Sequence, residues 1–414
     1  MFPRLVPIGA LSAVLAFTVA AGCAAFVPGH MALWSAIVAL VVLGAITPMI
    51  LAINVRIVPV FSRRAWQQPR MMAAALVLAI AGGWITFLGR AVPLGWLETA
   101  GTVLALGGGL CFMISIMRLF RSEPVTNVGP PLPHPEQALA DKVGVGFTRQ
   151  AGMYLIVGLA IGLMLRFWTP GHGRWELVWA HSMLLGWFLN MASGVCYHTL
   201  SRWTGRPWRS PRMITLHLRI TTVALPLMIV ALAIDNRTLF AVAGVAQAVM
   251  LLLFVANVAP MLVGLPLVSR IGTLAACTAL STGVLLGGWF AIDPTAGYRL
   301  RIAHGSINLF GFSGLLVAGV GYYLLPRFMG QALRWPRLAI AQIIIQIAGV
   351  VILALGWWWR QRGGDGGSIV IMIGGLTTMA SLMLCATILA ATFRKKVRGT
   401  VSAMTLKPSA RPAR

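Results

Sequence analysis

Residues 179–205 read WAHSMLLGWFLNMASGVCYHTLSRWTG, an apolar run with an imidazole near each end. Neutral histidine is the cheapest ionisable residue to hold in a bilayer, and imidazole is a common ligand of haem iron and of copper. At about 1.5 Å rise per residue, His181 and His198 stand roughly 25 Å apart on one helix, so they cannot share a metal. A second run, HGSINLFGF, begins at His304. The spacing places His181 and His304 at similar depth on the outer side, as candidate metal ligands. His198 and His217, joined by a short inner loop, are candidates on the other side. For each imidazole the competing reading is structural, a hydrogen bond to a neighbouring helix. The other histidines, His30, His134 and His172, fall in or beside loops.

These runs belong to a repeat. GWFLNMASGVCYHTLSRWTG (186–205) overlays GFSGLLVAGVGYYLLPRFMG (311–330). Gly186 meets Gly311, Tyr197 meets Tyr322, Arg202 meets Arg327 and Gly205 meets Gly330, at a constant offset of 125 residues (186 to 311). Tyr323 stands where His198 does, so an inner site would not be duplicated. Glycine lets helices or a flat ring approach closely, and an Arg–aromatic end anchors a helix at the interface; both are structural roles.

The elements that position these residues are membrane helices. The chain has 414 residues, 58% of them hydrophobic and only 10% charged. A soluble domain carries about 25% charged residues, so the solvent for this surface is lipid. Twelve long apolar runs, from about 5–27 to about 368–393, each suffice to cross a bilayer, and their continuity excludes the alternating strands of a barrel. Sorting the 33 Lys and Arg over twelve spans puts 25 on the side of the termini and 8 on the other. The runs read as an all-α integral membrane bundle, and the asymmetry puts both termini in the cytoplasm. The net charge of +25 is thereby assigned to topology and anionic lipid, not to nucleic acid. Residues 1–120 read as a four-helix region, 121–150 as a Pro-rich cytoplasmic linker, 151–393 as an eight-helix region and 394–414 as a basic tail. The five cysteines lie singly in apolar runs and read as core residues. Carboxylates are few and near helix ends, and no nucleotide, metalloprotease or serine-hydrolase motif is present, so the sequence assigns no reaction.

The histidine blocks resemble the NnrS family. WAHSMLLGW (179–187) and HGSINLFGF (304–312) are similar to its His-x-His-Glu-Met-Leu-x-Gly-Phe stretch, each keeping one histidine, with Trp179 and Ser306 in the places of the others. Pro326, Phe328 and Gly330 continue the match, NVRIVPVFSR (54–63) resembles a second block through Arg56, Pro59 and Phe61, and HTLSRWTGRPW (198–208) a third. The resemblance implies a twelve-span membrane protein holding haem b, copper or both, with nitric oxide as a small ligand. It also implies His181, His304, His198 and His217 as ligands, and Arg56, Tyr197 and Tyr322 as residues that contact the cofactor. The pattern is also similar to the haem-copper oxidase main subunit, without its adjacent histidine pair. Two readings compete: a secondary transporter without cofactor, and an accessory subunit of a respiratory complex bound to a membrane-protein partner.

Overall fold

The computed structural model describes residues 2–126, 129–168 and 171–394. The described residues form helices and no strand. Eleven segments are long and apolar enough to span a membrane. In chain order with one more polar run they are α1 (Phe2–Ala24), α2 (Leu33–Ser62), α3 (Pro69–Ala91), α4 (Gly95–Arg121), α5 (Gln137–Met164), α6 (172–204), α7 (Pro211–Ile234), α8 (Arg237–Gly264), α9 (Leu267–Ile292), α10 (Thr295–Phe328), α11 (Pro336–Arg360) and α12 (Gly367–Arg394). The expected multi-helix membrane bundle is what forms. The run α6 is as long as the others and lies outside the eleven because Glu176, His181, Asn190, Ser193 and His198 lower its hydropathy.

Neighbouring helices pack on one another around a ring, and every fourth one, α2, α6 and α10, is an inner helix. The apolar windows of α2 and α10 are 89% and 83% buried, against at most 61% in the other spans. Along α6, residues 186–191 are all buried. The ring of helices closes where α12 lies antiparallel to α1, with Gly22 against Met379 and Gly375 against the backbone of Ala25.

The three inner helices share one design. Each contains a wide π-helical segment: Leu40–Ile46 in α2, Ser182–Leu189 in α6 and Ile307–Ser313 in α10. A π segment shifts the ladder to i→i+5 and leaves carbonyls in need of partners. Thr47 and Ser313 supply them, each hydroxyl donating to the carbonyl five residues back, Val42 at 2.9 Å and Asn308 at 2.8 Å. The repeat seen between α6 and α10 therefore has a third member. Gly44, Gly186 and Gly311 lie in the three π segments, and each precedes by 25 residues the proline that opens the next helix, Pro69, Pro211 or Pro336. Between them the chain turns through a left-handed residue at equivalent places, Arg63 (φ 60°), Gly205 (φ 67°) and Gly330 (φ 65°). The π segments meet at the centre. Trp187 donates to the Thr47 hydroxyl at 3.1 Å, and the Phe188 and Phe312 rings are 5.3 Å apart.

Close helix approach is set by glycine, as is usual where lipid gives no hydrophobic drive between helices. A Cβ at Gly82 or Gly101 would stand 2.5 or 2.3 Å from a backbone nitrogen of the facing helix, Ala105 or Thr86. One helix starts earlier than the apolar run suggests. The segment 137–150, read from sequence with the linker, is the first half of α5. Its early turns are helical but bury polar Gln137 against α6, which hides them from a hydropathy reading. The part of the basic tail beyond Arg394 lies outside the described residues.

Candidate functional site

Polar side chains gather at the two ends of the bundle. The end that carries the chain termini is called the near end, and the opposite one the far end. His181 closes the regular helix before the π segment of α6, and His304 stands one turn above that of α10. The two lie within electrostatic reach of each other. His181 Nδ1 is 2.8 Å from the carbonyl of Leu177, which fixes that nitrogen as the donor and leaves Nε2 as the lone-pair side. His304 packs on Phe290, with ring centroids 5.4 Å apart, and beside Gly287, where a Cβ would come 3.3 Å from the imidazole. Its Nε2 is 3.5 Å from the Asn308 amide, and its buried Nδ1 makes no full hydrogen bond, with the Gly283 carbonyl within reach of the ring. On the opposite side α2 offers no third imidazole, and its Trp34 packs on Gly305.

The donor set decides which group fits. Among the described residues no three His, Cys, Asp or Glu side chains come together as a metal site. A closed zinc or copper site needs three or four such donors. Two imidazoles would suffice only for a metal that brings donors of its own, as the iron of a haem does.

The near-end histidines have separate partners. His198 is buried in α6, with Nδ1 3.2 Å from Asp141 Oδ1. Asp141 also receives Arg202 through both terminal nitrogens, at 2.8 and 2.7 Å, and Gln137 at 2.8 Å. Phe61 of α2 lies on the His198 ring at 4.9 Å and under the Arg202 guanidinium at 5.2 Å. His217 instead faces the hydroxyl of Tyr197, 2.9 Å from Nδ1. Adjacent residues of a helix point about 100° apart, which is how Tyr197 and His198 serve different neighbours. Tyr322 donates to Gln342 Oε1 at 3.0 Å, inside a network of Gln342, Gln346 and Ser381 that joins α10, α11 and α12. Arg56 holds in α2 the place of His198 in α6, with its Nε buried and unpartnered.

His198 is seated by Gly144 of α5: a Cβ there would lie 2.9 Å from Nε2 and 3.0 Å from the Gly194 carbonyl. Gly144→Ala is therefore expected to lower the unfolding midpoint in detergent, by the equivalent of about 1–3 kcal/mol. Gly144→Ala/His198→Ala should recover the share due to the imidazole. Equal midpoints for wild type and Gly144→Ala would place His198 elsewhere.

The far end also holds an ion-pair cluster that the sequence reading passed over. Arg90, in the last turn of α3, donates from Nε to Glu98 Oε1 at 2.7 Å. Its terminal nitrogens grip both oxygens of Glu176 at 3.1 and 2.9 Å. Arg166 pairs with the second oxygen of Glu98. The Arg90, Glu98 and Arg166 side chains are only 7%, 10% and 12% exposed. The sign balance across four successive helices was the available signal; assigning each charge to a loop concealed it.

An apolar cavity of about 160 Å³ lies between α2, α6, α8, α9 and α10 and is lined by Met49, Met191, Cys196, Cys277 and Phe312 among others. No histidine lines it.

No family model matches the chain, and no curated protein does. Among solved structures, a heme-copper terminal oxidase dimer determined by cryo-EM superposes with a TM-score of 0.70 at 13% identity, over 97% of this chain and 86% of that one. The chain thus has the fold of a protein of that kind: a multi-pass, all-helical membrane bundle.

Proposed function

We propose that the chain is a haem-binding protein of the bacterial inner membrane, with both termini cytoplasmic, whose far-end pair His181 and His304 holds the iron. The observation that carries this reading is the buried Nδ1 of His304, which makes no full hydrogen bond, within electrostatic reach of a second imidazole whose Nδ1 is held by a carbonyl. A buried nitrogen without a partner costs roughly 1–3 kcal/mol, a cost that coordination would remove. The oxidase-like fold supports the reading, because it is a helical frame that carries haem in the protein it resembles by name. When bound, the haem would supply reversible one-electron chemistry, with a small gaseous ligand taking the place of one of the two imidazoles. Nitric oxide, as in the NnrS resemblance, is the ligand we assign. The chain's own part is to orient two imidazoles, through the Leu177 carbonyl and the Phe290 ring, and to surround them with apolar helix. Copper, the other metal of the resemblance, would need donors beyond these two nitrogens.

The test is the visible spectrum of protein purified after haem-supplemented expression, oxidised and then dithionite-reduced. A Soret band is expected in the wild type and its loss or shift in both His181→Ala and His304→Ala. A folded, colourless wild type would overturn the haem reading, and metal analysis would then separate copper from a transporter or an accessory subunit.

A further inference from the structure

The repeat places two buried phenols at equivalent positions with different partners. Tyr197 and Tyr322 occupy equivalent positions in α6 and α10. Their partners are equivalent too, since His217 and Gln342 are each the seventh residue of a helix that opens Pro-Arg, α7 and α11. Both phenols are sealed, Tyr197 at 0% exposure and Tyr322 at 3%. One hydroxyl meets an imidazole nitrogen at 2.9 Å and the other an amide oxygen at 3.0 Å. That difference is chemical, because an imidazole accepts a proton outright and an amide oxygen does not.

We infer that Tyr197 and His217 form a redox-active pair, in which Tyr197 gives up one electron while its proton stays in the protein on His217. In this step a one-electron, metal-centred oxidant takes the electron. The phenolic O–H bond breaks, an N–H bond forms at His217 Nδ1, and a neutral tyrosyl radical faces an imidazolium. Re-reduction returns the proton along the same 2.9 Å contact. The surroundings favour each half of this change. Phe147 and Phe254 lie 4.6 and 4.9 Å from the His217 ring, within the range at which aromatic rings stabilise a cation. Burial keeps water from removing the proton, so the oxidation is reversible. Trp208, with its ring 5.2 Å from Tyr197, offers an aromatic path for the electron toward the near end. The inference does not depend on a metal at His181 and His304, since the oxidant is supplied in the test.

The experiment uses the full chain in detergent, with Tyr298→Phe as background because Tyr298 is 71% exposed and would be oxidised in solution. Flash-generated tris(bipyridyl)ruthenium(III) is the oxidant, and the readout is the persistent tyrosyl signal by electron paramagnetic resonance with ring-deuterated tyrosine. We expect the signal to survive Tyr322→Phe and to vanish in Tyr197→Phe. His217→Gln should slow its formation about 100-fold, the usual worth of a positioned base. Gln342→His should create a second, Tyr322-based signal. A signal that persists in Tyr197→Phe, or forms as fast in His217→Gln, overturns the proposal. Because His217→Gln keeps Tyr197 and Gln342→His adds rather than removes a signal, misfolding of one variant cannot mimic the expected pattern.

Discussion

Glu98→Ala is expected to destabilise the folded bundle by about 3–5 kcal/mol, the usual effect of removing one partner from a buried ion pair. Glu98 receives Arg90 on one oxygen and Arg166 on the other. Its removal leaves Arg166 without its described carboxylate and Arg90 with Glu176 alone. Two guanidiniums would then share one carboxylate at a site where all side chains are mostly withdrawn from solvent. Glu98→Gln keeps the shape and the acceptor while losing the charge, and should fall between. The measurement is the unfolding midpoint in mild detergent as SDS is added. A midpoint equal to wild type in Glu98→Ala would mean that the cluster is hydrated and contributes little. The double variant Glu98→Ala/Arg166→Ala should recover part of the loss, since it removes the stranded charge as well.

Gly319→Leu should cost as much, by a different route. A Cβ at Gly319 of α10 would stand 2.7 Å from the backbone nitrogen of Thr273 and 2.8 Å from the carbonyl carbon of Gly272, both in α9. No rotamer change relieves a clash with backbone, so the helices must part. Overpacking of this kind costs about 1–3 kcal/mol and more when the backbone must move; the value here is expected at or above about 3. Gly288→Ala is the control. Nothing lies within 4 Å of a Cβ there, and an exchange of Gly for Ala within a helix is worth up to about 1 kcal/mol in its favour. Loss of folded protein in the first variant and its retention in the second would locate the effect at the α9–α10 contact; equal behaviour would refute the close packing.

Much of the architecture was legible because lipid imposes it. Long apolar runs must be helices in a bilayer, and the pairing of Gly186 with Gly311 and of Tyr197 with Tyr322 needs only an aligned sequence. The third member of the repeat was less visible. In α2 the tyrosine position is Val55, the histidine position Arg56 and the closing glycine Arg63, so only Gly44, Pro59, Phe61 and the Pro69–Arg70 opening remain to signal it. The backbone keeps what the side chains lost: a π segment and a left-handed residue at the same register. At the site, sequence brought out the histidines but not their neighbours. Asp141 lies in a stretch that reads as linker, and Glu98 and Arg90 look like ordinary loop-end charges until helix packing brings them within 2.7 Å. A partner 57 residues away, as Asp141 is from His198, leaves no local trace.

The contact between α1 and α12 has a consequence for biogenesis. A ring of helices closed by its first and last members cannot be finished as it is made. The face of α1 that receives Met379 and Gly375 stays open to lipid, or to an insertase, until α12 enters the bilayer. Closure of the ring is thus a post-insertion event, and the α1–α12 seam is the place where a membrane chaperone would recognise an unfinished chain.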